Sequence, residues 1–179
     1  MLFEIQTYGK QVLRTKTEEI LQIDDNLRKF VADMFETMYA AEGIGLAAPQ
    51  VDNSIRLFVI DLSPIEEEEG QRVFVNPQII DFGDEKDEYE EGCLSIPTVR
   101  EIITRPTTIR ITYQDMNGKQ YDEEIDGFLA RVIQHEYDHL EKTLFIDHLS
   151  SLKKSLLKKT LKKIASGEIE VEASENFEL

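Results

Sequence analysis

The sequence predicts an α+β fold: a single domain with mainly antiparallel strands around a central helix, plus N- and C-terminal helices. Three observations lead there. Helical periodicity occupies residues 25–41, 128–140 and 152–164, and the β-rich segments fall between the first and the second. An Asn117–Gly118 step separates two alternating polar and apolar segments, which is the pattern of a tight antiparallel hairpin. Helices and strands do not alternate regularly, as a parallel β-α-β sheet would require. A length of 179 residues suits one compact domain with a substantial core.

Residues 25–41, DNLRKFVADMFETMYAA, space Leu27, Phe30, Val31, Met34, Met38 and Tyr39 along one helical face, with Asp25 or Asn26 as the expected N-cap. GIGLAAPQ at 43–50 follows at once; its two glycines are expected to stop the helix and give a loop or extended strip. IRLFVID at 55–61 and RVFVNPQII at 72–80 are β-branched and aromatic and predict two strands joined by a polar turn. TTIRITYQ at 107–114 and QYDEEI at 120–125 form the hairpin. The central helix runs from Phe128 to Leu140 with Asp126 as its expected cap, and a further helix occupies Leu152 to Ile164. The domain is expected to span 1–166, followed by an acidic, disordered tail at 167–179.

Composition narrows the function. The net charge of -16 disfavours nonspecific nucleic-acid binding and gives no ground for specific DNA binding. No apolar run approaches the roughly 18 residues of a membrane span. The first 20 residues lack the basic segment and apolar core of a secretory signal, so a cytoplasmic location is expected. Acidic residues gather at 66–69, at 84–91 and after Ser166, where solvated loops are expected, while 152–165 holds six lysines and no acid. With one cysteine, Cys93, no intrachain disulfide can form, leaving a buried thiol, a nucleophile or a metal ligand.

The chemistry is concentrated in QHEYDHL at 134–140. Helix positions i and i+4 lie on one face about 6 Å apart, so His135 and His139 can direct two imidazoles at one ion. Glu136 is offset by about 100° from His135, close enough to move protons without being a ligand. Phe128 and Val132 continue the histidine face toward the N-terminus, which puts both imidazoles on the buried stripe, where they need partners.

A catalytic metal commonly takes three protein ligands and keeps one position for water. A third histidine six residues beyond the second is excluded, because Phe145 stands there and Lys142 replaces the accompanying glycine. A downstream glutamate is disfavoured: the segment near 159 is rich in lysine and Glu168 lies in the acidic tail. His148 falls past the expected helix end and reads better as a surface or capping residue. Cys93 remains, in EEGCLSIP, where Gly92 permits close backbone approach and CLSIP is expected to run as a short strand closed by Pro97. A Cys-His-His set with an open position suits iron, zinc, cobalt or nickel.

Three separated blocks, GIGLAAPQ at 43–50, EGCLSIP at 91–97 and QHEYDHL at 134–140, together resemble the peptide deformylases. NP at 76–77, RP at 105–106 and LFID at 144–147 agree as well, so the resemblance spans most of residues 1–150. It implies a metal-dependent hydrolase that removes the formyl group from the N-terminal formyl-methionine of nascent peptides and releases formate. It further implies one divalent ion, typically Fe(II), on Cys93, His135 and His139, with Glu136 as general base and acid. Gln50 and the backbone N–H of Leu94 would hold the oxygen of the tetrahedral intermediate. Ile44, Leu94, Phe128 and Val132 are the candidates to line a methionine pocket, and Gly43 and Gly45 to pair with the substrate backbone.

Lys142 departs from the family pattern, which has glycine there, so a different cap is expected at the end of the metal-binding helix. The lysine-rich helix, with Leu152, Leu156, Leu157, Leu161 and Ile164 over about half its circumference, suits either a solvated surface or docking to ribosomal RNA. Three other functions share parts of the pattern: another zinc hydrolase, a thiol enzyme with Cys93 as nucleophile, and a metal-stabilised binding module.

Overall fold

The computed structural model describes residues 1–171. Its element order is α1 (Asp25–Ala40), β1 (Gly45–Ala47), β2 (Leu57–Asp61), β3 (Gln71–Phe82), β4 (Lys86–Glu91), β5 (Glu101–Pro106), β6 (Thr108–Gln114), β7 (Gln120–Asp126), α2 (Gly127–Leu140) and α3 (Ser151–Ala165). One antiparallel sheet has the order β1-β2-β3-β6-β7, and β4 pairs with β5 in a second, two-stranded sheet. The α+β class and the single domain agree with the sequence reading.

Period-two alternation builds the layers. In β2, Phe58 and Ile60 face α2 and join Ala130, Val132 and Ile133, while Leu57 and Val59 face α1 and join Val31, Met34 and Met38. The sheet is therefore covered by α1 on one face and by α2 on the other. A third cluster gathers Cys93, Ile96 and Ile103 with Phe145, Leu161 and Ile164, and so docks α3 against the turn that carries the cysteine. Among the described residues no helix is long and apolar enough to cross a membrane.

Several local expectations are corrected. The α1 cap is Asp24, whose side chain accepts from Leu27 N–H at 2.8 Å, in place of Asp25 or Asn26. Tyr39 is 42% exposed, turned out of the face shared by Met34 and Met38. The glycines do not stop α1: Glu42 takes the left-handed conformation at φ 56° and Gly43 N–H reaches back to Met38 C=O at 2.9 Å. Asp126 holds the cap position of α2, yet its side chain makes no capping bond. The acidic run at 84–91 is largely a strand, β4, and 101–106 is its partner. CLSIP is a turn closed by Ile96 N–H on Cys93 C=O at 2.9 Å, and no strand. Along α3 only Leu161 and Ile164 are buried, while Leu152 and Leu156 stand exposed. Ile169, within the expected tail, packs against the third cluster, and residues 172–179 lie outside the described residues.

Candidate metal centre

α2 emerges from the β7 edge with its apolar face on the sheet, and the same face carries His135 and His139 into the interior. Their ring centroids are 5.4 Å apart and the ring planes are inclined by 74°. Cys93 enters from the turn after β4, fully buried, with Sγ 3.4 Å from His139 Nε2. One ligand atom from each of Cys93, His135 and His139 lies within 4.8 Å of the others, and among the described residues no other His, Cys, Asp or Glu group is so arranged. His148 stands apart as expected, its side chain 38% exposed and its Nε2 2.8 Å from Asp138.

The polar atoms left over bear on whether a metal fits. Among the described residues, three buried side-chain atoms have no hydrogen-bond partner: His135 Nε2, Glu136 Oε2 and His139 Nδ1. Unpaired buried polar groups commonly cost about 1–3 kcal/mol each. Their concentration on the QHEYDHL turns, beside a thiol, suits a site that takes a metal ion and a hydrolytic water.

Electrostatics prepares the ligands differently. Burial pushes His139 well below its ordinary value, aided by the positive charges of His135 and Arg105, so it is a neutral imidazole. Burial acts in the same direction on His135, but its contacts with Cys93 and Glu91 outweigh it and raise that ring. His135 Nδ1 lies 2.9 Å from Glu91 Oε1. Burial alone would raise the Glu91 carboxyl, yet the bonds from His135 and Arg105 reverse this and hold it well below the usual carboxylate range. An ionised carboxylate only accepts, so Nδ1 of His135 carries hydrogen and Nε2 is the unpaired ring atom left toward the cluster.

Glu136 is enclosed on α2 beside the ligands, and burial raises its carboxyl to about 7. Gln50 sits on a 3-10 turn, Ala48–Val51, directly after β1. Its Oε1 accepts from Ala47 N–H at 2.8 Å, and its Nε2 donates to Ser95 Oγ at 3.0 Å and lies 3.6 Å from Cys93 Sγ. These contacts aim the amide at the cysteine side of the site. Leu94 touches the Gly43 backbone: a Cβ on Gly43 would fall 2.8 Å from Leu94 Cδ1. Ile44 and Val132 share the cluster under α2, and Phe128 packs at its margin against Tyr89 at 5.4 Å, whereas Leu94 joins the α1 cluster. The four pocket candidates are thus divided between two sides of the sheet.

Residues that the sequence reading left in bland roles surround the ligands. Glu91 looked like the end of a solvated acidic run, and it is fully buried between Arg105, Arg131 and His135. Its one sequence signal is its position two residues before Cys93. Ser95, bonded to Gln50, carried no signal of its own.

The sequence profile of the polypeptide deformylase family matches residues 2–155. A peptide deformylase of Salinibacter ruber is 42% identical over 181 residues, covering 96% of this chain and 93% of the relative. One of Cytophaga hutchinsonii is 48% identical over 171 residues, covering 94% and 93%. Among solved structures, a plant peptide deformylase superposes with a TM-score of 0.87 at 34% identity, covering 93% of this chain and 90% of that one. One from Plasmodium falciparum gives 0.86 at 38% identity, covering 92% and 96%. With the sequence profile, the relatives and the fold in agreement around a buried Cys-His-His cluster, the chain belongs to the peptide deformylases, metal-dependent hydrolases that remove the formyl group from the N-terminal methionine of newly made proteins.

Proposed function

We propose that Cys93, His135 and His139 hold one divalent ion, Fe(II) in the cell with zinc, nickel or cobalt as substitutes, and that Glu136, Gln50 and Leu94 carry out the hydrolysis around it. The observation that carries this reading is the coincidence of three mutually close ligand atoms with an unpaired, buried Glu136 oxygen. A divalent ion there supplies Lewis-acid chemistry, making water acidic near neutral pH and drawing electron density from a carbonyl oxygen.

Glu136 accepts a proton from the attacking water and returns it to the leaving amine. Burial raises this carboxyl and the positive charge of a bound ion would oppose the rise, which suits it to both directions of transfer. The formyl oxygen gains negative charge as water adds, and Gln50 Nε2 with Leu94 N–H donates to it. Gln50 keeps its bond to Ser95 while its second N–H turns from the weak sulfur contact to the oxyanion.

The substrate backbone adds to β1. That strand is at the sheet edge, and Ile44 C=O is taken by Asp61 N–H at 2.9 Å. In an antiparallel ladder the next residue turns its polar groups the other way, so Gly45 offers N–H and C=O to the free edge. Ile44, Phe128 and Val132 border the methionine side chain, and Gly43 extends the strip. A formyl carbon bears only hydrogen, so close walls admit it and reject acetyl.

The enzyme works in the cytoplasm on emerging chains, and α3 docks to the RNA backbone of the ribosome. Lys154, Lys158 and Lys162 line one groove with Arg14, which supports a phosphate-facing surface. Ribosome cosedimentation that weakens steeply with salt is expected; absent or salt-insensitive binding overturns the docking.

The decisive experiment is formate release from a formyl-Met tripeptide by anaerobically purified protein, beside the acetyl analogue, with metal content measured on the same sample. Formate from the formyl peptide alone, about one iron per chain, and loss of metal in Cys93→Ala are expected. Activity that survives chelation but not alkylation would instead assign Cys93 as a nucleophile.

A further inference from the structure

We propose that Arg131 is a positioning residue for the metal ligand His135, acting through Glu91. The inference rests on the metal reading above and adds a residue that touches neither ion nor substrate.

Arg131 stands one turn before His135 on α2, so the two share a helix face. Its guanidinium is buried and both terminal nitrogens are engaged. Nη1 donates to Glu91 Oε2 at 2.7 Å and to Ile103 C=O at 3.1 Å; Nη2 donates to Asp87 C=O at 3.1 Å and to Asp87 Oδ1 at 2.6 Å. The Tyr89 ring covers it at 5.6 Å. These partners all lie on the β4–β5 hairpin.

Glu91 is saturated by this arrangement. Oε2 accepts from Arg131 and from Arg105 Nε at 2.7 Å, and Oε1 accepts from Arg105 Nη2 at 3.0 Å and faces His135 Nδ1. Arg105 belongs to β5 and Glu91 to β4, so their bidentate pair is internal to the hairpin. Besides His135, three residues tie the hairpin to α2: Arg105 to Asp138 at 2.9 Å, Gln134 to Pro106 C=O at 2.9 Å, and Arg131 to Glu91, Asp87 and Ile103, and of these only Arg131 carries a bond from α2 to Glu91 itself. Without Arg131, Glu91 Oε2 keeps only the bond from Arg105 on its own hairpin, so the carboxylate can shift and the imidazole it orients follows. Partners behind a ligating histidine typically change metal affinity 10–100-fold when removed.

The test is cobalt(II) binding to the metal-stripped chain, by chelator competition and by the ligand-field bands of the bound ion. Arg131→Met is expected to weaken binding about 10–100-fold and to shift the bands. Arg131→Lys keeps the charge but cannot reach four acceptors, so an intermediate loss is expected. Asp87→Asn, at a side chain 60% exposed, loosens the outer anchor and is expected to weaken binding a few-fold, while Asp122→Asn on the distant hairpin leaves it unchanged. If Arg131→Met does not fold, Arg131→Lys and Asp87→Asn decide. Wild-type affinity and bands in both would overturn the proposal and leave Arg131 a packing residue. Failure of the unaltered chain to bind cobalt would overturn the metal reading beneath it.

Discussion

The Glu136 carboxyl group lies directly against the α-carbon of Gly45: a Cβ built on Gly45 would fall 2.9 Å from Glu136 Cδ and 3.0 Å from Cγ. Gly45 is not at positive φ, so close approach, rather than backbone conformation, requires the glycine. Gly45→Ala must therefore move Glu136. A displacement of about 1 Å at a reacting group can cost on the order of 10² in rate. The expected result is a fall of about that size in kcat/KM at unchanged metal content, measured by formate release and metal analysis together.

Lys142 occupies the left-handed position that ends α2, with φ 60° and Thr143 N–H bonded to Asp138 C=O at 2.8 Å. The unusual residue thus leaves the cap geometry intact and adds backbone strain. Lys142→Gly is expected to stabilise the chain by about 1 kcal/mol, raising Tm by roughly 2–4 °C at this size. Arg14 bonds the Lys142 carbonyl, which the substitution retains, so activity should not change. Thermal denaturation and a deformylation assay check both halves.

What the sequence made legible follows from the strength of local signals. α2 and the β6–β7 hairpin were expected at nearly their observed bounds, because histidine spacing, apolar stripe and the Asn117–Gly118 turn are all local. β4 was hidden because five of its six residues are exposed and most are charged, so neither alternation nor apolar content marks it as a strand. Glu91 was hidden for the same reason. Its burial depends on two arginines from β5 and α2, 14 and 40 residues away, and only the folded chain brings them together. The candidate cluster could be named in the sequence because elimination left Cys93 beside the two histidines, whereas the support behind it is long-range and chemically ordinary in sequence.

Glu91 is a buried carboxylate opposite two buried guanidinium groups. Breaking such a group by removing one partner is strongly destabilising, since the remaining charges stay desolvated. Arg105 keeps Asp138 and Arg131 keeps Asp87, so Glu91→Ala is expected at the low end of that range, about 3 kcal/mol. Urea unfolding of the metal-stripped protein should show a lowered midpoint with an unchanged slope. Glu91→Gln, which retains one acceptor oxygen, should lose less.

Glu136 sets the direction of pH dependence. Its carboxyl is raised by burial from 4.5 to about 7, so between these values the folded chain binds the proton and the unfolded chain does not. The Glu136 contribution to the stability of the metal-stripped protein then falls as pH rises through that window, because the native state holds the extra proton, while the depressed His139 acts in the opposite direction, so the difference between the chain and Glu136→Gln isolates it. Glu136→Gln, neutral throughout, removes this contribution and leaves those of the two histidines. In the loaded enzyme the positive ion opposes burial and lowers the carboxyl again. The acid limb of kcat/KM should therefore lie below pH 7, with activity falling tenfold per unit beneath it, since only the carboxylate can accept the proton from water. A pH–rate profile beside urea unfolding of the metal-stripped chain across the same range measures both; a limb above pH 7 would assign the ionisation to a different group.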